Sequence, residues 1–146
     1  MASPVEAQLI LCDAAQAESG KVHMLGAGWS FTTSPTAPHA VAVLMKVPWD
    51  RANQPLPLKL QLLDSDGKPV SISAPDGQAA TIATEAQIEV GRPPGLAHGS
   101  MLDASFALNI PPLPLQPGRY EWRLSFAEQE YTAPFTVMPT GGRPAF

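Results

Sequence analysis

Four side chains in this sequence have the chemistry of a soft metal ligand, a nucleophile or an imidazole base: Cys12, His23, His39 and His98. A thiol nucleophile needs a histidine within hydrogen-bond reach to take its proton. A zinc site legible in sequence needs ligands spaced as C-x-x-C or H-x-x-x-H. No pair among the four has such spacing. Cys12 closes the apolar run Leu9-Ile10-Leu11-Cys12, where a small buried hydrophobe is the expected role. His39 and His98 fall in connections and read as solvated. Carboxylates stand at Asp13, Glu18, Asp50, Asp64, Asp66, Asp76, Glu85 and Glu89. A hydrolytic pair needs two carboxyls held ~5–10 Å apart in a cleft, whereas most of these fall at turns or at outward strand positions. Gly26-Ala27-Gly28-Trp29 resembles a phosphate loop only superficially. Cradling a phosphate needs the glycines between a strand and a helix N-terminus, and the segment reads instead as a bend where a strand changes sheet. The sequence therefore assigns no catalytic residue, no metal ligand and no cofactor.

Binding is the remaining chemistry. Trp49 and Asp50 open the loop over 48–55, and Arg92 sits in the stiff loop Gly91-Arg92-Pro93-Pro94-Gly95. An aromatic with adjoining polar groups on a loop can stack a sugar or anchor a partner; it can equally fold back as a lid on the end of the domain. Trp49, Asp50 and Arg92 are the candidate binding residues. A second proline-rich stretch, Pro111-Pro112-Leu113-Pro114-Leu115-Gln116-Pro117, has polyproline II character; such a segment could dock in an aromatic groove, but it is expected to stiffen a connection.

The elements that must hold these loops announce themselves by alternation, the repeat of a strand with one buried face. Leu56, Leu58, Leu60 and Leu62 alternate with mostly polar neighbours. Val41, Val43, Met45 and Val47 do the same, but Ala40, Ala42 and Leu44 between them are apolar too, so this strand is expected to be covered on both sides. Ala104, Phe106, Leu108 and Ile110 form a third run, and Tyr120, Trp122, Leu124 and Phe126 a fourth. Turns are marked by Ser19-Gly20, Asp66-Gly67 and Asp76-Gly77. Of the 17 prolines, only Pro57 and Pro134 lie inside strand runs, and because proline cannot donate to a ladder both are expected at edges or bulges. The expected fold is all-β: a single antiparallel β-sandwich, immunoglobulin-like, with eight or nine strands and proline-rich loops. It occupies residues 1–138, with a flexible C-terminal tail over 139–146.

Composition agrees with a folded domain. The chain has 146 residues with 17 Pro and 11 Gly, a share below the ~25–30% at which an aperiodic chain reads as disordered. Nine cations against 13 anions give a net charge of −4. The cations form no cluster, which argues against nucleic acid and against an anionic membrane surface. One cysteine cannot form an internal disulfide. No apolar stretch approaches a signal core or a span of ~20 residues, so the expected location is cytoplasmic.

Blocks in order along the chain carry a resemblance. They are Leu9-Ile-Leu-Cys-Asp-Ala-Ala15, Lys21-Val-His-Met-Leu-Gly-Ala-Gly-Trp-Ser30, Val47-Pro-Trp-Asp50, Leu60-Gln-Leu-Leu-Asp64, Val90-Gly-Arg-Pro-Pro-Gly95 and Pro117-Gly-Arg-Tyr-Glu-Trp-Arg-Leu124. The sequence is similar to a family of small uncharacterised bacterial proteins classed as a domain of unknown function. The last block also resembles the penultimate strand of an immunoglobulin-like sandwich, where a tyrosine hydroxyl bonds nearby backbone. The resemblance implies one intact domain and transfers no site. Together these readings give an expected function: a non-enzymatic interaction or structural module, with a protein partner or a homo-oligomer. The alternatives are a small-ligand or carbohydrate-binding module using the end loops, and a small hydrolase in which Cys12, a histidine and a carboxylate converge in a pocket.

Overall fold

The alternating runs become strands, and their buried faces meet in one core. The computed structural model describes residues 4–73 and 75–139; apart from Pro139, the expected tail lies outside them. In chain order the strands are β1 (Glu6–Cys12), β2 (Ala14–Glu18), β3 (Lys21–Leu25), β4 (Phe31–Thr32), β5 (His39–Val47) and β6 (Leu56–Asp64). There follow β7 (Ser71–Ser73), β8 (Ala79–Thr81), β9 (Ala83–Ile88), β10 (Leu102–Asp103), β11 (Phe106–Ile110), β12 (Gly118–Phe126) and β13 (Gln129–Val137).

One sheet sets β5 at its centre, with β1 on one side and β10 and β11 in succession on the other. The second runs β4-β13-β12-β6-β9. Hairpins β2-β3 and β7-β8 complete the set. Val41, Val43, Met45 and Val47 of β5 share a core with Leu56, Leu58, Leu60 and Leu62 of β6, with Trp122, Leu124 and Phe126 of β12, and with Phe135 and Val137 of β13. Each such side chain contributes ~1.5–3 kcal/mol by leaving water. The other face of β5 is covered over its first half only: Ala40 and Ala42 are fully buried with Cys12 and Ala15 beneath the β2-β3 hairpin, whereas Leu44, expected to be covered with them, is half-buried beyond the hairpin. Small side chains there let the two backbones approach closely.

Two expectations need correction. Thirteen strands stand among the described residues, not eight or nine, because several runs are interrupted. The N–H of Asp13 turns to Leu25 O and divides β1 from β2. Ser105 Oγ takes the N–H of Met45 in place of a backbone carbonyl and divides β10 from β11. Nor is the pairing wholly antiparallel, since β4 runs parallel to β13. That pairing follows from the glycine bend. Gly26 and Gly28, at φ +64° and +97°, carry the chain from the β2-β3 hairpin on one sheet to β4 in the other, so the segment read as a sheet change is one. A Cβ at Gly26 would collide with the Asp13 carboxylate.

Both strand prolines sit where no ladder bond is lost. Pro57 lies one residue beyond the last β6–β12 pair, Leu58↔Phe126. Thr136 and Met138 donate to Ser30 and Thr32 on the β4 side. The same alternation turns the nitrogen of Pro134 that way, upstream of where β4 begins to pair. The stretch over 111–117 is not a free ligand for an aromatic groove. Leu113 and Leu115 plug the core, and Thr36 and Ser34 pin the segment through Leu113 and Leu115 O.

Candidate functional site

Two of the three expected binding residues come together. A 3-10 turn over Trp49–Arg51 follows β5, and Arg92 lies just beyond β9 in the opposite sheet, so the pair bridges the two sheets at one end. The Arg92 guanidinium carbon stands 4.7 Å from the centroid of the Trp49 ring, and its Nε and Nη2 donate to Trp49 O at 3.2 and 2.6 Å. His98 completes the clasp, its ring centroid 5.2 Å from that of Trp49. One ring face of Trp49 is therefore occupied by a cation, the arrangement of a lid rather than of a bare stacking platform. At an exposed site such a contact is worth ~0.5–1 kcal/mol. Asp50 stays apart and exposed. Its carbonyl accepts from Gln54 Nε2, and its carboxylate joins no ion pair among the described residues.

Below the clasp, between the last strand of one sheet and the edge of the other, the core opens to solvent. A groove of about 510 Å³ runs between β9 and β10–β11, lined by Leu58, Ala86, Ile88, Val90, Phe106 and Leu108, with Glu89 and Asp103 at its margin. Ile88, Val90, Phe106 and Leu108 are only half-buried. The period-two pattern marks Phe106 and Leu108 as one face of a strand, but it does not single out Ile88 and Val90 and says nothing of what stands opposite. The missed signal is that the inward face of β9, Thr84-Ala86-Ile88, is small at two of its three positions and cannot fill the space before Phe106 and Leu108.

His39, expected to be solvated, is instead the most buried of the ionisable residues that sequence reading singled out for imidazole chemistry, at 2% exposure. As the first residue of β5 it points into the core. Its Nδ1 donates to Ala37 O at 3.1 Å, and its Nε2 accepts from Trp122 Nε1 at 3.3 Å. Burial pushes its pKa below the ordinary 6.5, opposed only in part by the Ala37 bond. Trp29 stands edge-on to it at 5.3 Å. Cys12 is fully buried, with Sγ against Ala40 O at 3.5 Å, and burial, then the neighbouring Asp13, push its thiol pKa up. Both ring nitrogens of His39 are engaged elsewhere, so it is not a base for Cys12. Among the described residues no group of three His, Cys, Asp or Glu side chains is arranged to hold a metal ion, and no helix is long and apolar enough to cross a membrane.

Fold and surface together define an all-β protein of two packed sheets with an apolar lateral groove. The chain belongs to a family of unknown function (DUF6941), whose model matches residues 7–138. No curated protein matches the sequence.

Proposed function

We propose that this protein is a non-enzymatic interaction module, an immunoglobulin-like β-sandwich that binds another protein through the groove between β9 and β10–β11. The observation that carries this reading is the groove itself: half-buried apolar side chains from both sheets facing water across about 510 Å³, the kind of exposed apolar surface that marks an interaction site. The immunoglobulin-like kinship is supported by Tyr120, whose hydroxyl donates to Gln116 O at 2.8 Å, the bond of a tyrosine corner. A net charge of −4 favours protein over nucleic acid or an anionic membrane as the partner. A single buried thiol suits a reducing, cytoplasmic setting, and the sequence resemblance suits a bacterial one. The test is quantitative co-purification from the native cell with three baits: the natural chain, Ala86→Arg in the groove, and Gln16→Arg on the exposed face of β2. The reading expects a discrete protein retained by the first and third baits and lost at least ten-fold from the second. Identical recoveries from all three would overturn it.

A further inference from the structure

We infer that the partner presents an extended segment that adds to the outer edge of β9, drops alternate apolar side chains into the groove, and meets Glu89 with a basic residue. This rests on the groove being the binding surface and adds the form and charge of what occupies it. The backbone supplies the first argument. Leu62 donates to Ile82 O at 3.0 Å, and β6 and β9 pair from Gln61↔Ala83 to Leu56↔Ile88. In an antiparallel ladder successive residues direct their N–H and C=O to opposite sides. Thr84, Ala86 and Ile88 therefore face β6, while Ala83, Glu85 and Gln87 present theirs outward.

Edge strands are commonly blunted by proline, lysine or brevity. The opposite end of this sheet is the two-residue β4, whereas β9 has six residues, with no proline and no lysine. β1, the outer strand of the other sheet, also lacks both, but Leu11 O in it already accepts from Gly28 N–H, and Val5 O just before it accepts from the Tyr131 hydroxyl. Of the two strands that border the groove, β9 is longer than the five-residue β11.

Charge decides between a second copy and a foreign strand. Antiparallel pairing of β9 with itself about its middle sets Glu85 against Glu85 or close to it, and like charges opposite one another are destabilising. Glu85 already holds Lys59 at 3.7 Å and Asp103 holds Lys46 at 2.7 Å. Glu89, exposed at the margin of the groove, joins no ion pair among the described residues. An apolar strand carrying lysine or arginine complements that margin; a chain of net charge −4 does not. Strand addition of this kind draws affinity from main-chain hydrogen bonds and selectivity from pockets for alternate side chains.

The probe is a fluorescein-labelled peptide, Lys-Val-Lys-Leu-Lys-Val-Lys, titrated into the full chain and followed by fluorescence anisotropy. Its control carries N-methyl groups on the three amides that would face β9. The proposal expects saturable binding, weakened at least ten-fold by N-methylation and by Ala86→Arg. It expects a loss of three-fold or more with Glu89→Lys, together with a shallower dependence on salt. Ala86 and Glu89 are both exposed, and circular dichroism verifies that each variant is folded. Equal binding of the methylated peptide, or no saturable binding of the parent, overturns the strand-addition proposal. If in either case the groove variant still loses its cellular partner, the interaction surface stands and only the extended form of its occupant falls.

Discussion

Replacing His39 with Phe tests how the core accommodates its one buried imidazole. The ring is kept at similar size against Trp29 and Phe135, its neighbours at 5.3 and 6.1 Å, while two hydrogen bonds are removed. Trp122, 1% exposed, loses the acceptor of its Nε1 proton, and a buried donor left unpartnered costs about 1–3 kcal/mol. The bond to Ala37 O contributes about 1 kcal/mol more. The expected loss is about 2–4 kcal/mol, or roughly 6–15 °C in Tm for a chain of this size. The pH dependence gives a second reading. Nε2 accepts only when the imidazole is neutral, and the folded pKa lies below the ordinary 6.5, so the unfolded chain takes up a proton first as pH falls. The stabilisation is fully present above about 6.5 and declines below it, by up to ~1.3 kcal/mol between pH 7.5 and 5.5. Urea unfolding followed by tryptophan fluorescence at both pH values measures each quantity. His39→Phe should cost most at pH 7.5 and less at 5.5. A variant within about 0.5 kcal/mol of the natural chain at pH 7.5, or a difference independent of pH, would refute the reasoning.

Other outcomes follow from single contacts. Cys12, fully buried and with its thiol pKa raised, should resist a maleimide in the folded protein and react at once in denaturant, as a mass shift would record; rapid native labelling would contradict its placement. Gly26→Ala forces a side chain onto φ +64° and into the Asp13 carboxylate. It should cost about 1–3 kcal/mol by chemical denaturation, with part recovered in the double variant with Asp13→Ala. The β12–β13 turn places Ala127 and Glu128 at φ +49° and +66°, a conformation that favours glycine. Glu128→Gly should therefore stabilise by about 1 kcal/mol, because the contact it sacrifices, with Arg51 at 3.7 Å, is largely exposed; a lower Tm would show that contact to matter more than the backbone.

What the sequence disclosed follows the range of the interactions concerned. The leucines of β6 and the valines of β5 repeat every second residue, so face and burial are local facts that need no partner to be named. Pro57 and Pro134 were legible for the same reason, since a missing N–H restricts a strand wherever it lies. The glycine bend at Gly26 and Gly28 could be read as a sheet change without knowing which strand it would reach. Strands of two or three residues, β4, β7, β8 and β10, are too short to show a period, and the Ala127-Glu128 turn lacks the residues that mark one. His39 follows Pro38 and looks like loop, because its burial is set by Trp29, Trp122 and Phe135, all at least ten positions away in sequence. The clasp of Trp49 by Arg92 was half legible: both residues stood out as loop candidates, but their meeting depends on β5 and β9 ending at the same end of the two sheets. The groove was invisible for a related reason. It is the space between two edges, and no single segment records the width of a gap.

The most direct test of the interaction surface is photo-crosslinking in the native cell, with a benzoylphenylalanine placed at Asp103 on the exposed margin of the groove, where it does not fill the groove, and, separately, at Gln16 on the exposed outer face of β2. A discrete adduct with a second protein from position 103, absent from position 16, is the predicted result. The same pattern of adducts from both positions, or none from position 103, would contradict the assignment of the groove as the site of interaction.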